Sequence, residues 1–231
     1  MRVDVPESLR LFLSARHRHG ELTVSSDGDA TAGHLIESLG IPRTEIGGIR
    51  INGVPADTRD QPADGDQVEV LDVTRPQRYD QPRFLLDVHL GTLARRLRLL
   101  GIDTAYSNDA DDPELVEQAI AEDRILLTQD RGLLRRRALP AGGYVRGSDP
   151  DEQLLDVLER FDPPRAPWSR CPACNGLLEP VAKAQIEHLL EPGTQQAFTD
   201  FSQCQGCERL YWRGAHAEQL TAIVAGAPAH D

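Results

Sequence analysis

Two short apolar runs, each closed by a carboxylate, frame the middle of the chain: Arg83-Phe84-Leu85-Leu86-Asp87 and Arg124-Ile125-Leu126-Leu127-Thr128-Gln129-Asp130. Runs of this length bounded by polar residues fit buried strands. Between them the apolar positions recur at helical spacing twice, over Leu90 to Leu100 and over Pro113 to Ala121, with Thr104-Ala105-Tyr106 as a short strand in between. Strands alternating with helices predict βαβ units and a parallel sheet. Gly143-Tyr144-Val145-Arg146 is a fourth strand candidate. Leu154, Leu155, Val157 and Leu158 mark a last amphipathic helix before the prolines at 163–167. All strands of such a sheet run the same way, so Asp87 and Asp130 are expected at its carboxyl edge, where open α/β sheets place their ligands.

The flanks read differently. Residues 1–73 predict a small β-rich domain. Leu9–Leu13 is a strand candidate, followed by Leu22-Thr23-Val24; a helix capped by Thr31 carries Leu35, Ile36 and Leu39 and ends at Gly40. Asn52-Gly53 after Ile49-Arg50-Ile51 signals a hairpin, and Asp64-Gly65-Asp66 a turn before Val68 and Val70. Strand, strand, helix, strands is the order of a β-grasp. Residues 74–82, with Pro76 and Pro82, read as a linker, and residues 168–214 as a loop-rich module. The Ala-rich tail from Ala215 predicts a short helix.

Composition narrows the classes. There is no apolar run of ~18 residues to span a membrane, and Met1-Arg2-Val3-Asp4 lacks the apolar core of a signal peptide, so a soluble cytoplasmic protein is expected. The net charge of −12 argues against nonspecific nucleic-acid binding. Its distribution softens that: Lys+Arg against Asp+Glu is 9 to 14 over residues 1–80 and 7 to 13 over residues 138–231, but 9 to 10 over residues 81–137. In that middle stretch the arginines cluster, as Arg95, Arg96 and Arg98 and as Arg131, Arg135, Arg136 and Arg137. Arginine contacts phosphate by charge and paired hydrogen bonds, although a solvated helix face explains any single one except Arg131, which directly follows Asp130.

Four acidic positions trace to one edge of the predicted sheet: Asp87; Asp109, Asp111 or Asp112; Asp130; and Asp149. Asp103 and Asp123 precede their strands and belong to the opposite edge. Hard divalent cations such as magnesium and manganese take oxygen ligands. Polar residues also end strands simply because loops are exposed, and an N-cap ahead of Pro113 accounts for Asp112 by itself. Other carboxylate-using α/β sites are excluded by what is missing. Position 89 is His where a dehalogenase-type phosphatase has its second Asp. The single lysine, Lys183, lies outside the domain, and there is neither a phosphate loop ending in Gly-Lys nor a Gly-x-Gly-x-x-Gly. His89 is expected to pack or cap near the site.

Cys171-Pro172-Ala173-Cys174 and Cys204-Gln205-Gly206-Cys207 predict a tetrahedral four-thiolate zinc site with a structural role. The gap between the pairs calls for an inserted helix or hairpin, and Gly206 is expected to ease the second turn. His188 and His216 are spare nitrogen donors. Tyr211 and Trp212, between Arg209 and Arg213, either stack on single-stranded bases or fill the module's small core.

The stretch FLLDVHLGTLARRLRLLGIDTAYSNDADDPELVEQAIAEDRILLTQDRGLLRRR resembles the Mut-seven C-terminal RNase domain, a branch of the PIN-like nucleases, and the likeness continues through both cysteine pairs to about residue 220. The segment INGVPAD…ADGDQVEVLDV resembles ubiquitin-like sulfur carriers and fits the ubiquitin-like extension of some members. Carrier chemistry needs a free terminal Gly-Gly, and Val73 instead runs on into Thr74-Arg75-Pro76. The resemblance implies a β-grasp domain over 1–73, a PIN-like parallel-sheet nuclease domain over 83–162 and a zinc ribbon over 168–214. It implies metal-dependent RNA hydrolysis by an acidic cluster drawn from Asp87, Asp111, Asp112, Asp130 and Asp149, with Asp87 and Asp130 on magnesium or manganese. RNA is then the expected partner, met by Arg95, Arg96 and Arg131, and the ubiquitin-like domain is open to a protein partner. The rival is a noncatalytic RNA- or protein-binding adaptor that keeps the fold.

Overall fold

The N-terminal residues build a five-stranded sheet in the order β2-β1-β5-β3-β4. Its strands are β1 (Arg2–Asp4), β2 (Leu22–Thr23), β3 (Ile46–Ile51), β4 (Val54–Ala56) and β5 (Gln67–Asp72), with helix α1 (Ala32–Leu39) across it. The central β1–β5 pair is parallel and the other pairs antiparallel, a β-grasp-like arrangement. Local signals behave as expected. Thr31 accepts the His34 N–H, Gly40 closes α1 at φ 107°, and Asn52 and Gly53 take φ 52° and 79°, as a two-residue hairpin with both central residues left-handed requires. The expected strand over Leu9–Leu13 is instead a 3-10 helix, Glu7–Phe12. Leu9, Phe12 and Leu13 are buried at helical spacing behind Pro6, and the true first strand is the shorter Arg2–Asp4.

The computed structural model describes residues 1–25 and 29–213; the predicted tail helix and His216 lie outside them. The chain divides into two units, Met1–Gln77 with Asp112–Tyr144 and Arg78–Asp111 with Val145–Asp231. From residue 84 the elements are β6 (Phe84–Leu86), α2 (Gly91–Leu99), β7 (Thr104–Tyr106), α3 (Asp112–Ala121), β8 (Ile125–Thr128), α4 (Arg131–Leu134), β9 (Gly142–Tyr144) and α5 (Pro150–Phe161). Then follow β10 (Leu178–Val181), α6 (Lys183–Ile186), α7 (Pro192–Ala197), β11 (Phe201–Cys204) and β12 (Leu210–Trp212). The fourth α/β strand thus begins and ends earlier than its apolar pattern indicates.

In the first unit β8 and β9 pair in parallel. All four β8 residues are buried, as a parallel strand covered on both faces should be. This pair also meets the N-terminal residues. Buried Glu45 accepts the Tyr144 N–H at 2.8 Å, and the Phe12 and Tyr144 rings meet edge to face at 5.2 Å. In the second unit β6 and β7 pair in parallel, and α2 packs on α5; Leu93, Ala94 and Leu97 of α2 are fully buried, each leucine worth roughly 2 kcal/mol. Gly101 ends α2 at φ 79°, and a Cβ there would sit 2.0 Å from the Ala166 carbonyl oxygen. That close approach lets Ala166 and Trp168 donate to the last carbonyls of the helix, Leu100 and Leu99. Between the cysteine pairs, where a helix or a hairpin is expected, lie the short helices α6 and α7, with a 3-10 turn at Glu187–Leu189 between them.

Candidate functional site

The two cysteine pairs occupy turns with the same backbone wiring. Cys171 N–H donates to Gly176 O and Asn175 N–H to Cys171 O; Cys204 N–H donates to Arg209 O and Glu208 N–H to Cys204 O. Asn175 and Glu208, each just past the second cysteine, hold positive φ of 69° and 59°. Gly206, expected to ease the second turn, has ordinary backbone angles and room for a Cβ. Gly176 is the tight position, where a Cβ would lie 2.9 Å from Cys204 Sγ. All four sulfurs lie within 4.8 Å of one another, with Cys171–Cys207 at 3.7 Å and Cys174–Cys204 at 3.4 Å. Tetrahedral zinc at ~2.3 Å from each thiolate spaces them about 3.8 Å apart, so the set fits a metal such as zinc. His188 is exposed and outside the group.

The thiols are not equivalent. Burial raises Cys171, but its contact with Tyr211 Oη at 2.9 Å and the N–H groups of Cys174 and Ala173 outweigh it and bring the thiol to about 7. Burial and the neighbouring sulfurs push Cys174 up to about 12. Tyr211 is therefore part of the cysteine site rather than of the module's core. That core is Ile186, Leu190 and Phe201; Trp212 is half-exposed at its edge, with its ring 6.1 Å from that of Phe201.

Arg98 ties the first turn to the α/β elements. It is 3% exposed, its Nε donates to Thr104 O at 2.8 Å, and its Nη1 donates to Pro172 O and Ala173 O at 3.1 and 2.9 Å. Burial holds its pKa below the ordinary value; the Cys174 and Cys171 thiolates act against this and Arg95 adds to it. Asp103 completes the tie, pairing with Arg170 at 3.1 Å and accepting from Asn175, whose side-chain oxygen accepts the Thr104 N–H. Arg98 thus leaves the group of candidate phosphate contacts. So does Arg96, half-buried and ion-paired to Asp151 on α5. Arg95 is exposed, and the Arg131 guanidinium sits 5.9 Å over the Phe12 ring.

The acidic candidates separate by what they already do. Asp87 directly follows fully buried β6 and is 6% exposed. Asp130 and Asp149 are exposed helix N-caps: Oδ1 of Asp130 accepts from Gly132 and Leu133, and Oδ1 of Asp149 from Asp151 and Glu152. In both, Oδ2 has no hydrogen-bond partner among the described residues. Asp112 falls inside the first turn of α3 rather than before it, and meets Arg136 at 3.5 Å. Asp111 and His89 are exposed. Among the described residues the cysteines are the only group of three or more such side chains placed to share a metal. A magnesium-type site can still form with fewer protein ligands, because that ion keeps several waters.

Reading the sequence missed Asn175 and Glu45 altogether, and missed the roles of Asp103 and Tyr211 at the cysteine turns. Only Asn175 carried a local signal, since Asn tolerates the left-handed region after a Cys-x-x-Cys turn.

No helix among the described residues is long and apolar enough to cross a membrane. Comparison with curated proteins finds no match. Residues 1–78 match the Mut7-C ubiquitin domain, and residues 82–224 match the Mut7-C RNAse domain. With more than half of its length in that second match, and with the β-grasp-like sheet, parallel strands and cysteine cluster in place, the chain belongs to the Mut7-C RNAse domain family.

Proposed function

We propose that the protein is a divalent-metal-dependent ribonuclease that hydrolyses RNA phosphodiester bonds, with Asp87 and Asp130 as ligands of magnesium or manganese. Family membership supplies the nuclease-like, RNA-related role. The observation that carries the reading is the division of labour in Asp130: Oδ1 caps α4, while Oδ2 has no partner among the described residues and remains for a cation. Asp149 is built the same way and is the next candidate, ahead of Asp112, whose Oδ2 faces Arg136. When bound, the metal supplies Lewis-acid polarisation of a phosphoryl oxygen and a more acidic water. The chain's own part is to fix the carboxylates at the ends of buried strands and to offer arginine to phosphate.

The test is cleavage of a fluorescent single-stranded RNA after chelation and metal return. Activity should vanish with chelator, return with manganese or magnesium but not with zinc alone, and fall at least ~100-fold in Asp87→Asn, the scale of removing one electrostatic interaction from the transition state. Wild type inert with every divalent ion on varied RNAs overturns the reading. The second reading, a noncatalytic adaptor, rests on the same caps: capping explains Asp130 and Asp149 with no chemistry at all.

A further inference from the structure

A groove of about 510 Å3 runs between α2 and the cysteine turns, entirely within the second unit. One wall is a single face of α2, carrying Gly91, Arg95 and Arg98 at helical spacing; the other carries Ala173, Arg209 and Tyr211. The floor is Tyr106, whose ring lies over Gly91 so closely that a Cβ there would come within 2.6 Å of its hydroxyl oxygen. Tyr106 Oη donates to Val88 O, and Tyr211 Oη contacts Cys171 Sγ, so both rings are held in place by their polar ends. Among the described residues no carboxylate lines the groove. Among the described residues neither the Arg95 nor the Arg209 guanidinium has an ion-pair partner, although the chain carries 37 acidic residues against 25 basic ones. With a divalent metal on four thiolates the cysteine site carries two negative charges, and three arginines still leave the groove net positive.

Two unpaired guanidiniums beside fixed aromatic rings, in a space of nucleotide size, match the chemistry of a single strand: charge for the backbone and π-faces for bases. Gly91 lies only four residues after Asp87, so the groove opens close along the chain to the candidate catalytic acid. We propose that this groove binds single-stranded RNA, with Arg95 and Arg209 contacting phosphates and Tyr106 and Tyr211 providing stacking faces, so that the cysteine module contributes to substrate binding as well as to stability. This rests on the ribonuclease reading for its ligand but not for its geometry.

The experiment uses the full chain with zinc in its cysteine site and a fluorescein-labelled single-stranded RNA in buffer free of magnesium and manganese, so that binding is read without cleavage. Arg95→Ala and Arg209→Ala should each weaken binding several-fold, and the double variant at least ~10-fold. The slope of log affinity against log salt should shrink by about 0.7 for each phosphate that the variant no longer neutralises. Bound zinc and thermal stability should stay at wild-type values, and Arg59→Ala, an exposed arginine outside the groove, should bind like wild type. The proposal is overturned if the double variant binds with wild-type affinity and salt slope, if wild type does not bind the strand, or if an RNA duplex binds more tightly than the single strand. Loss of binding in the variants of a protein that cleaves no RNA would keep the groove and discard the nuclease. Cleavage by wild type with binding intact in the double variant would do the reverse.

Discussion

The cysteine turns and the acidic strand ends are both candidate metal sites, and they are built in opposite ways. Each cysteine turn closes on itself through the same two backbone hydrogen bonds, so its ligands are placed by residues at most five positions away. The acids are delivered one at a time by separate strands, and two of them already serve as helix caps. A closed thiolate set has one use and can be lost only as a whole. A capping carboxylate has two uses, one per oxygen, and substitutions can separate them.

The largest expected effect is on the thiolate side. Wild type should carry one zinc per chain, and Cys174→Ser should lose it, because structural zinc in small modules is worth ~10–16 kcal/mol. The fully modular expectation is that the α/β elements remain untouched. Arg98 and Asp103 argue for a wider effect: without the first turn, Arg98 loses the Pro172 and Ala173 carbonyls, so amides near Thr104 should exchange faster while β6 stays protected. Elemental analysis with hydrogen exchange checks both; a zinc-free wild type, or unchanged exchange at Thr104, breaks this account.

Next comes the separation of cap from ligand. Asn caps a helix about as well as Asp, whereas Ala costs about 1 kcal/mol. Asp130→Asn should therefore keep wild-type stability and lose at least ~100-fold in cleavage, and Asp130→Ala should lose both. Full activity in Asp130→Asn with reduced stability in Asp130→Ala would make the residue a cap alone and remove it from the metal site.

A smaller effect tests the tie between cysteine module and α/β elements. Asp103→Asn keeps an acceptor for Asn175 but loses the charge facing Arg170, which should cost about 1 kcal/mol in denaturant melts. Because Asp103 has these partners, the better control for loss of an acidic charge is exposed Asp123, which already sits at φ 50° and tolerates Asn. The N-terminal part offers a comparable test. Glu45→Ala leaves the Tyr144 N–H without its acceptor, at about 1–3 kcal/mol. Stability unchanged in Glu45→Ala would mean that this contact does not hold the N-terminal residues to β9, and deletion of residues 1–78 should then leave hydrolysis intact.

The sequence by itself determined whatever a few neighbouring residues control. The Asn52-Gly53 hairpin, the Thr31 and Gly40 caps, the buried runs ending near Asp87 and Asp130, and each of the two Cys-x-x-Cys turns all follow from backbone preferences and spacing within one turn or one strand. Leu9–Leu13 misled because its apolar residues satisfy both strand and helix periods, and Pro6 with the buried face decided for the helix. Only the tertiary structure decided which arginines are free. Arg95, Arg96 and Arg98 are indistinguishable as a string, yet one is exposed, one is paired with Asp151 and one is buried on carbonyls more than 70 positions away. Such partners leave no local trace, because burial and charge pairing depend on which distant segments the fold brings together. The same holds for Glu45 under Tyr144, Asp103 against Arg170, and the groove that α2 forms with the cysteine turns.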